Sequence, residues 1–311
     1  MRCARSALAL AVVAMMSTMG CRIGQLMTRN LAAFGEERSL PNRITHPERP
    51  DARLAVLWVG HATALIQMED KFILTDPVFT DTIGQLSPRL VEPGIAVENL
   101  PPIDAVLISH MHFDHMSLGS LEMLASKVRW LGLPRGGLVY LTDFAFPARE
   151  VPWWTSQTLA GGLRVTSVPV QHNGWRYGMD RDWRQGGYTG WVIEYRGMTV
   201  YFSGDTALNA ERFRATAQRF PSIDLALLPI SPIHPRDYMH KMHVDPNEAL
   251  TAFELLGARW MVPVHYDTFV NSLDEAGEPK RVLLEAMEKR GFDESRVALL
   301  EIGEQRVFIE R

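Results

Sequence analysis

Cysteine is nearly absent from this sequence of 311 residues, in which Cys3 and Cys21 are the only two. Cys3 lies within residues 1–21, which are predicted to be a signal peptide that is removed, and Cys21 stands at the predicted processing site of that peptide. The mature chain would therefore contain no free thiol. This excludes both a disulfide framework and a cysteine nucleophile from the chemistry that we expect.

A surplus of positive charge is also lacking. The sequence has 32 lysine and arginine residues against 36 aspartate and glutamate residues, a formal net charge of −4. Proteins whose main partner is nucleic acid usually carry a basic face, whereas the basic residues here are scattered, so we expect no nucleic-acid partner. The hydrophobic fraction of 46% is that of an ordinary globular protein.

No apolar run is long enough to cross a bilayer comfortably, which takes about 20 residues. The N-terminus has a short run at residues 7–16, preceded by Arg2 and Arg5 and followed by Gly20 and Cys21. A positive start, an apolar stretch and a small residue before the processing site are typical of a signal peptide. Gly20 and Cys21 also resemble the processing site of bacterial lipoproteins, in which the cysteine is lipidated.

This interpretation divides the chain into three segments. Residues 1–21 are predicted to be a signal peptide, of the lipoprotein type or of the ordinary type, and residues 22–51 a tether that leads into a folded domain at 52–311. We expect a protein of the bacterial cell envelope, exported and anchored in the membrane through Cys21 or its N-terminal segment. An exported protein without an anchor and an uncleaved anchor are the alternatives.

From residue 52 onward, short apolar runs alternate with turn signals, a pattern that predicts β-strands. The predicted strands are residues 54–59, 64–68, 72–74 and 103–109 in the first half, and 191–195, 199–202 and 223–231 in the second. Each half contains a hairpin that ends in an aspartate, Asp76 or Asp205, followed by a strand that begins with Ile-Asp. Helical spacing appears at residues 118–125, 210–220, 246–256 and 279–290. The order favours an α/β fold, a four-layer αββα sandwich built from two similar halves.

The richest group of metal-binding side chains directly follows the predicted strand 103–109. His110, His112, Asp114 and His115 lie within six residues. Imidazole nitrogens and carboxylate oxygens are common zinc ligands. His110 and His112 can converge on one ion, while Asp114 and His115 can bind a second.

The spacing H-x-H-x-D-H after a strand resembles the signature of the metallo-β-lactamase superfamily. The similarity extends to other stretches, at residues 58–66, 74–77, 101–110, 171–172, 204–206, 243–246 and 265–269. In these the chain resembles, more narrowly, N-acylphosphatidylethanolamine-hydrolysing phospholipase D and its bacterial relatives. The resemblance covers nearly everything from residue 54 to residue 303 and implies a metallo-β-lactamase-fold hydrolase domain.

The resemblance also implies a complete set of ligands for two zinc ions. One ion would be bound by His110, His112 and His172, the other by Asp114, His115 and His265, with Asp205 bridging the two. His172, Asp205 and His265 each end an apolar run, which agrees with this assignment. Manganese or iron would also suit these nitrogen and oxygen ligands.

Four further roles are less specific. Asp114 is expected to orient an attacking hydroxide as well as bind metal. His243 corresponds to a position near the family's active-site entrance, where it would assist the leaving group, although a role in the loop that caps a helix is the alternative. Asp76 is either a partner of a metal-binding side chain or a turn residue, and His61 is either such a partner or structural.

The function implied is hydrolysis of a phosphodiester in a phospholipid such as N-acylphosphatidylethanolamine. A lactonase or another carbonyl hydrolase of the same fold is the first alternative, and a metal-binding envelope protein without significant turnover is the second. The partner would be a small molecule or a phospholipid, with membrane contact through the N-terminal anchor, and a homodimer is compatible with the resemblance. Six aromatic residues outside the strands could contact acyl chains: Phe144, Phe146, Trp153, Trp154, Trp175 and Trp183.

Overall fold

The computed structural model describes residues 22, 24–35, 37–41, 43–84, 87–177 and 186–311. The predicted signal peptide at residues 1–21 and the side chain of Trp183 lie outside these residues. No helix in the described ranges is both long enough and apolar enough to cross a membrane.

Two mixed β-sheets form the centre of the domain. The first has the order β15-β1-β2-β3-β6-β7-β8 and the second the order β14-β13-β12-β11-β10-β9. The strands of the first sheet are β1 (Ala52–Gly60), β2 (Thr63–Met68), β3 (Lys71–Thr75), β6 (Ala105–Leu107), β7 (Leu131–Leu133), β8 (Ala148–Glu150) and β15 (Gln305–Glu310). Those of the second are β9 (Ser156–Thr158), β10 (Arg164–Val168), β11 (Gly190–Tyr195), β12 (Met198–Phe202), β13 (Leu225–Pro229) and β14 (Trp260–Val264), and a small separate hairpin pairs β4 (Thr82–Ile83) with β5 (Ser87–Pro88).

The helices are α1 (residues 24–33), α2 (Leu118–Leu124), α3 (Ala210–Arg219), α4 (Arg236–Met239), α5 (Pro246–Leu256) and α6 (Glu278–Arg290). Four of the helices, α2, α3, α5 and α6, begin and end close to the predicted positions, whereas α1 and α4 were not predicted. Helix α5 has the bounds that the sequence predicts. It begins at Pro246 because Asp245 accepts a hydrogen bond from the backbone of Glu248 and the Glu248 side chain bonds back, a capping box, and it ends before Gly257, which has the left-handed conformation common at helix ends. Pro246 occupies the first turn, where its missing N–H costs nothing.

Alternation along β1 explains the layers. Leu54, Val56 and Trp58 belong to the core between the two sheets, whereas Leu57 and Val59 face the opposite side, in a second core that contains residues of α2. Successive side chains of a strand point to opposite faces, so a strand buried on both faces needs a partner layer on each. The predicted αββα sandwich is confirmed.

The two halves share one topology. In the first, β2 and β3 are antiparallel while β3, β6 and β7 are parallel neighbours, and in the second β11, β12, β13 and β14 repeat this arrangement. The carboxyl ends of parallel strands lie at the same edge of a sheet. The residues that follow these strands are therefore brought together at one edge of the sandwich.

The main differences from the predicted elements are a strand that is shorter than predicted and several strands that were not predicted, among them β7, β8, β9 and β15. The predicted strand at 103–109 is paired as a strand only at Ala105–Leu107, with an isolated bridge from Ile103 to Val128 before it. Strand β15 was not predicted. Its side chains are at most half-buried and polar residues interrupt its apolar ones, so it lacks the continuous apolar pattern of the inner strands.

Residues 22–51, the predicted tether, contact the domain at several points. Arg29 of α1 donates to the backbone carbonyls of Ser272 and Asp274, and the Gln305 side chain of β15 donates to the carbonyl of Pro47 at 2.6 Å. The segment therefore packs along the domain where it is described, while the position at which the domain begins stays a prediction.

Trp191 joins the two sheets. Its side chain is fully buried in β11 and its indole Nε1 donates to the carbonyl of Ile108 at 3.0 Å, two residues before His110.

In Trp191→Phe this buried carbonyl loses its donor, so we expect the free energy of unfolding to fall by about 1–3 kcal/mol. Equilibrium unfolding in urea measures this free energy. Trp175→Phe, at a residue 39% exposed, is the matched control and should change stability by less than about 0.5 kcal/mol; equal losses would contradict the assignment.

Candidate metal centre

Six segments meet at the edge of the sandwich where the parallel strands end. They carry His61 after β1, Asp76 after β3, residues 110–115 after β6, His172 after β10, Asp205 after β12 and His265 after β14. All of these histidines and aspartates except His112 and Asp114 are buried. A seventh segment, the loop before α5, adds His243.

Three histidines turn one nitrogen each toward a common point. His110 Nε2 lies 2.8 Å from His112 Nδ1, and His172 Nε2 lies 3.5 Å from the same His112 atom. The opposite nitrogen of each ring contacts an oxygen acceptor at 2.9 Å: Ser109 Oγ for His110, Asn173 Oδ1 for His112 and the Met242 carbonyl for His172. Because the outer nitrogen of each ring donates its hydrogen to that oxygen, the nitrogen that faces the common point carries a lone pair. Lone pairs at such distances repel unless a cation lies between them, so this first cluster fits a metal ion.

Asp114, His115 and His265 form a second cluster. His115 Nε2 lies 3.2 Å from His265 Nε2, and Asp114 Oδ2 lies 3.6 Å from the first and 3.7 Å from the second. The outward nitrogens contact Asp76 Oδ2 at 2.7 Å and the Ser231 carbonyl at 3.0 Å. These bonds fix which ring nitrogen faces the cluster. In metal sites, the hydrogen-bond partner of the other ring nitrogen usually orients the imidazole in the same way.

Asp205 connects the two clusters. Its Oδ2 lies 3.3 Å from His115 Nε2 and 3.9 Å from His172 Nε2, and its Oδ1 lies 3.2 Å from His265 Nε2. Within the described residues, the buried atoms Asp205 Oδ1 and His243 Nδ1 have no hydrogen-bond partner. Buried polar atoms are rarely left unpaired, so these two atoms are suited to a cation and to a bound ligand.

The local electrostatics favour a cation as well. Burial lowers the pKa of His110 and of His172 well below the usual value, with neighbouring histidines adding to the effect, so both are neutral ligands at neutral pH. Burial would raise the pKa of Asp205, but the imidazoles of His265, His115 and His243 lower it well below the usual range. The first cluster therefore offers neutral nitrogens beside the ionised carboxylate of Asp205, the donor set that zinc prefers.

Asp76 lies behind the second cluster and holds its geometry. It accepts hydrogen bonds from the Ser109 amide at 2.6 Å and the Ser109 hydroxyl at 2.5 Å, besides the bond from His115. Gly204 makes this packing possible, because a Cβ there would lie 2.2 Å from the Cβ of Ser109, and its φ of +57° suits glycine. The loops of the two halves could not approach this closely with a larger residue.

The structure brings all seven predicted ligand residues together. Asp76 both ends its strand and bonds to His115, so the two roles considered for it coexist. His61 contacts Asp114, with Nε2 3.0 Å from Oδ2, and its ring lies 3.8 Å from that of His265. His243 Nδ1 lies 3.5 Å from Asp205 Oδ2, at the centre.

Among the aromatic residues singled out in the sequence, Trp175 borders the site, with its ring 4.9 Å from that of His112. Phe146 is buried, and Phe144 stacks on it at 4.9 Å. The exposed Phe113 and Tyr177, 5.8 Å apart next to the first cluster, were missed. Partners of the ligands were missed as well, because Asn173 and the carbonyls of Met242 and Ser231 have no pattern in the sequence; only Ser109, adjacent to His110, could have been found.

Removing the charge of Asp76 should weaken metal binding. In Asp76→Asn, His115 loses its negatively charged acceptor, so we expect zinc affinity to fall by about 10–100-fold. Competition with a chromogenic chelator measures the dissociation constant. Asp51→Asn, whose parent side chain is 59% exposed, is the control and should bind like the parent. Unchanged affinity in Asp76→Asn would show that this hydrogen bond does not orient His115.

Metal binding should also release protons. Burial alone would lower the pKa of His265, but the carboxylates of Asp205 and Asp114 raise it to about 9 in the metal-free protein. A metal must displace that proton below pH 9, so we expect affinity to rise with pH up to about 9. Zinc titration calorimetry at pH 7, in buffers of different ionisation enthalpy, should show about one or more protons released per chain. A release near zero would contradict a protonated His265.

Comparison with known proteins identifies the family. The sequence profile of the "Beta-lactamase superfamily domain" matches residues 71–266. The "N-acyl-phosphatidylethanolamine-hydrolyzing phospholipase D 1" of Caenorhabditis elegans is 28% identical over 257 residues, which cover 77% of this chain and 71% of that protein. An uncharacterized protein of Mycobacterium bovis is 33% identical over 251 residues, covering 77% of this chain and 66% of the relative.

A solved structure supports the fold. A metallo hydrolase of the archaeon Ignicoccus hospitalis aligns with a TM-score of 0.60 and 24% identity, covering 81% of this chain and 97% of its own. The resemblance seen in the sequence is therefore confirmed, at the level of the fold and of a metal-dependent hydrolase family. The chain belongs to the metallo-β-lactamase superfamily of metal-dependent hydrolases.

Proposed function

We propose that this protein is a di-zinc phosphodiesterase that hydrolyses a phospholipid on the head-group side of its phosphodiester, as a phospholipase D does. The observation that carries the proposal is the position of Asp205 between the two clusters. Its Oδ1 lies 3.2 Å from His265 Nε2 of the second cluster, and its Oδ2 lies 3.3 Å from His115 Nε2 of the second cluster and 3.9 Å from His172 Nε2 of the first. One cluster would hold one ion and the second cluster the other, with Asp205 contacting both. When bound, two such ions lower the pKa of water toward neutrality and stabilise negative charge on a phosphoryl or carbonyl oxygen.

Two observations support a lipid phosphodiester as the substrate. The first is the similarity, at 28% identity, to a phospholipase named for its action on N-acylphosphatidylethanolamine. The second is the apolar surface next to the first cluster, where Phe113, Trp175 and Tyr177 are 37%, 39% and 64% exposed. Exposed apolar surface beside a polar site suits a ligand with a charged head and an apolar tail.

The residues of the chain contribute orientation and proton transfer. Asp114 accepts from His61 at 3.0 Å, which fixes the carboxylate that would orient the attacking water. Arg176 donates to the carbonyls of Met111 and Met116 at 3.0 Å and 2.8 Å, and so holds the loop that carries His112 and Asp114. A rigid loop keeps the reacting groups within the narrow range of geometry that catalysis needs.

His243 is the best-placed group to exchange a proton with the leaving alcohol. Burial lowers its pKa to about 4, although Asp205 acts to raise it, so the imidazole is neutral at neutral pH. Its Nδ1 has no hydrogen-bond partner among the described residues. A neutral imidazole with a free ring nitrogen can accept a proton and pass it on, the usual role of histidine in acid–base catalysis.

The test is hydrolysis of defined lipids. The full chain, loaded with zinc, is incubated with vesicles that contain N-acylphosphatidylethanolamine, phosphatidylethanolamine and phosphatidylglycerol, and the products are identified by mass spectrometry. We expect phosphatidic acid together with the released head group, and a loss of at least about 100-fold in Asp205→Asn, because one carboxylate contacts both clusters. His243→Asn should keep its metal and lose about 10²–10⁴-fold in rate.

The controls separate the alternatives. Asp51→Asn should retain the parent's rate and metal content. Diacylglycerol as the product would move the cleavage to the other side of the phosphorus and overturn the phospholipase D assignment. Intact lipids alongside hydrolysis of a lactone by the parent, and not by Asp205→Asn, would establish the carbonyl-hydrolase alternative. Turnover of neither substrate class by the zinc-loaded protein would favour the metal-binding envelope protein.

A further inference from the structure

Helix α1 and the turn that follows it present apolar residues to the solvent. Met27, Leu31 and Phe34, spaced by four and three residues, are 59%, 71% and 46% exposed. A helix of a globular protein normally turns its apolar stripe inward. Here the more buried side includes Arg29 and Asn30, so the usual arrangement is partly reversed.

The polar side of α1 is anchored to the domain. Arg29 donates to the carbonyls of Ser272 and Asp274, and Asn30 Oδ1 accepts from the Ser87 hydroxyl at 2.8 Å. Because hydrogen bonds hold Arg29 and Asn30 against the domain, the helix cannot roll to bury its apolar stripe without breaking them. The exposure of the stripe is therefore built into the packing.

We infer that Met27, Leu31 and Phe34 form a contact with the surface of a lipid bilayer. Helix α1 begins directly after the apolar segment at 7–16 and Cys21, where we predict the membrane anchor. An anchor at Cys21 would place α1 at the bilayer surface, where an amphipathic helix lies in the interface with its apolar side buried about 5–10 Å.

A second copy of the chain is a poorer occupant of this stripe. Three side chains of this size offer at most about 600 Å² even when fully exposed, whereas a stable protein interface buries about 800 Å² on each partner. The remainder of the exposed side of α1 is small or polar, with Thr28 and Ala32. A lipid surface needs no complementary partner surface.

The position of α1 connects this contact to the metal centre. Arg29 contacts the loop at 272–274, and Asp274 in that loop accepts from the Ser231 hydroxyl at 2.7 Å. The carbonyl of Ser231 in turn accepts from His265 Nδ1 at 3.0 Å. A bilayer against α1 would therefore be linked to His265 through these hydrogen bonds, which gives the contact its purpose if the proposed action on phospholipid holds.

Photo-cross-linking tests the contact without any turnover. The photoreactive residue p-benzoylphenylalanine replaces Leu31 in the full chain, or Leu284 of α6, which is 44% exposed, as the control. Each zinc-loaded protein is irradiated with vesicles of phosphatidylethanolamine and phosphatidylglycerol. We expect lipid adducts on the peptide containing position 31, at a yield at least about tenfold above that at position 284.

The other outcomes overturn the inference. Adducts that join two chains would make the stripe an interface between copies, and adducts to residues 1–21 would show that the chain covers its own stripe. Equal lipid yields at the two positions, or none at position 31, would show no lipid contact. Cross-linking does not need hydrolysis, so a lipid adduct on a protein that cleaves no phospholipid would retain this inference and remove the proposed function alone.

Discussion

Repulsion among acceptor groups is the constraint on which the rest of the structure depends. Five imidazoles turn a nitrogen lone pair toward one region that also contains the carboxylates of Asp114 and Asp205, and burial removes the water that would solvate them. In the metal-free protein, protons relieve part of this repulsion, since carboxylates beside His115 raise its pKa well above the usual value despite burial. Metal cations relieve it more completely because they bind several lone pairs at once. The hydrogen bonds around the outside of the site matter for the same reason, since they prevent the rings from rotating away.

Duplication of the half-fold supplies the ligands, and small differences between the halves give them different roles. Asp76 and Asp205 each follow the second strand of a hairpin, β3 and β12. Asp76 meets the amide and hydroxyl of Ser109 and becomes a support behind His115. Asp205 follows Gly204, whose lack of a side chain lets the loop pass against Ser109 and places the carboxylate between the clusters. One topology therefore yields one structural carboxylate and one that faces the metal positions.

Patterns within short stretches of the sequence predicted the helices and strands whose bounds depend on neighbouring residues. Helical spacing predicted both ends of α5, and the apolar runs predicted the strands on both sides of Asp76 and Asp205. The ligand set depended on the family resemblance as well, because His172 alone resembles any buried histidine. Asn173 and the carbonyl of Met242 could not be predicted, since their roles depend on which loops meet in three dimensions. The packing of α1 is of the same kind, because its sequence does not reveal that the polar side faces the domain.

The surroundings of the two clusters decide the direction from which a substrate approaches. The second cluster is covered on one side by packed rings. The His61 ring is tilted against that of His265 at 3.8 Å and the Phe269 ring lies edge-on to His61 at 5.3 Å, and both His61 and His265 are 1% exposed. The first cluster ends at His112, against the 39%-exposed ring of Trp175. Among the described ligand residues, His112 and Asp114 are the two that are not buried, so a molecule approaches Asp205 past them. An apolar chain attached to the reacting group would then lie along Trp175, while the reacting group itself meets the ionised carboxylate and the neutral imidazoles beyond it.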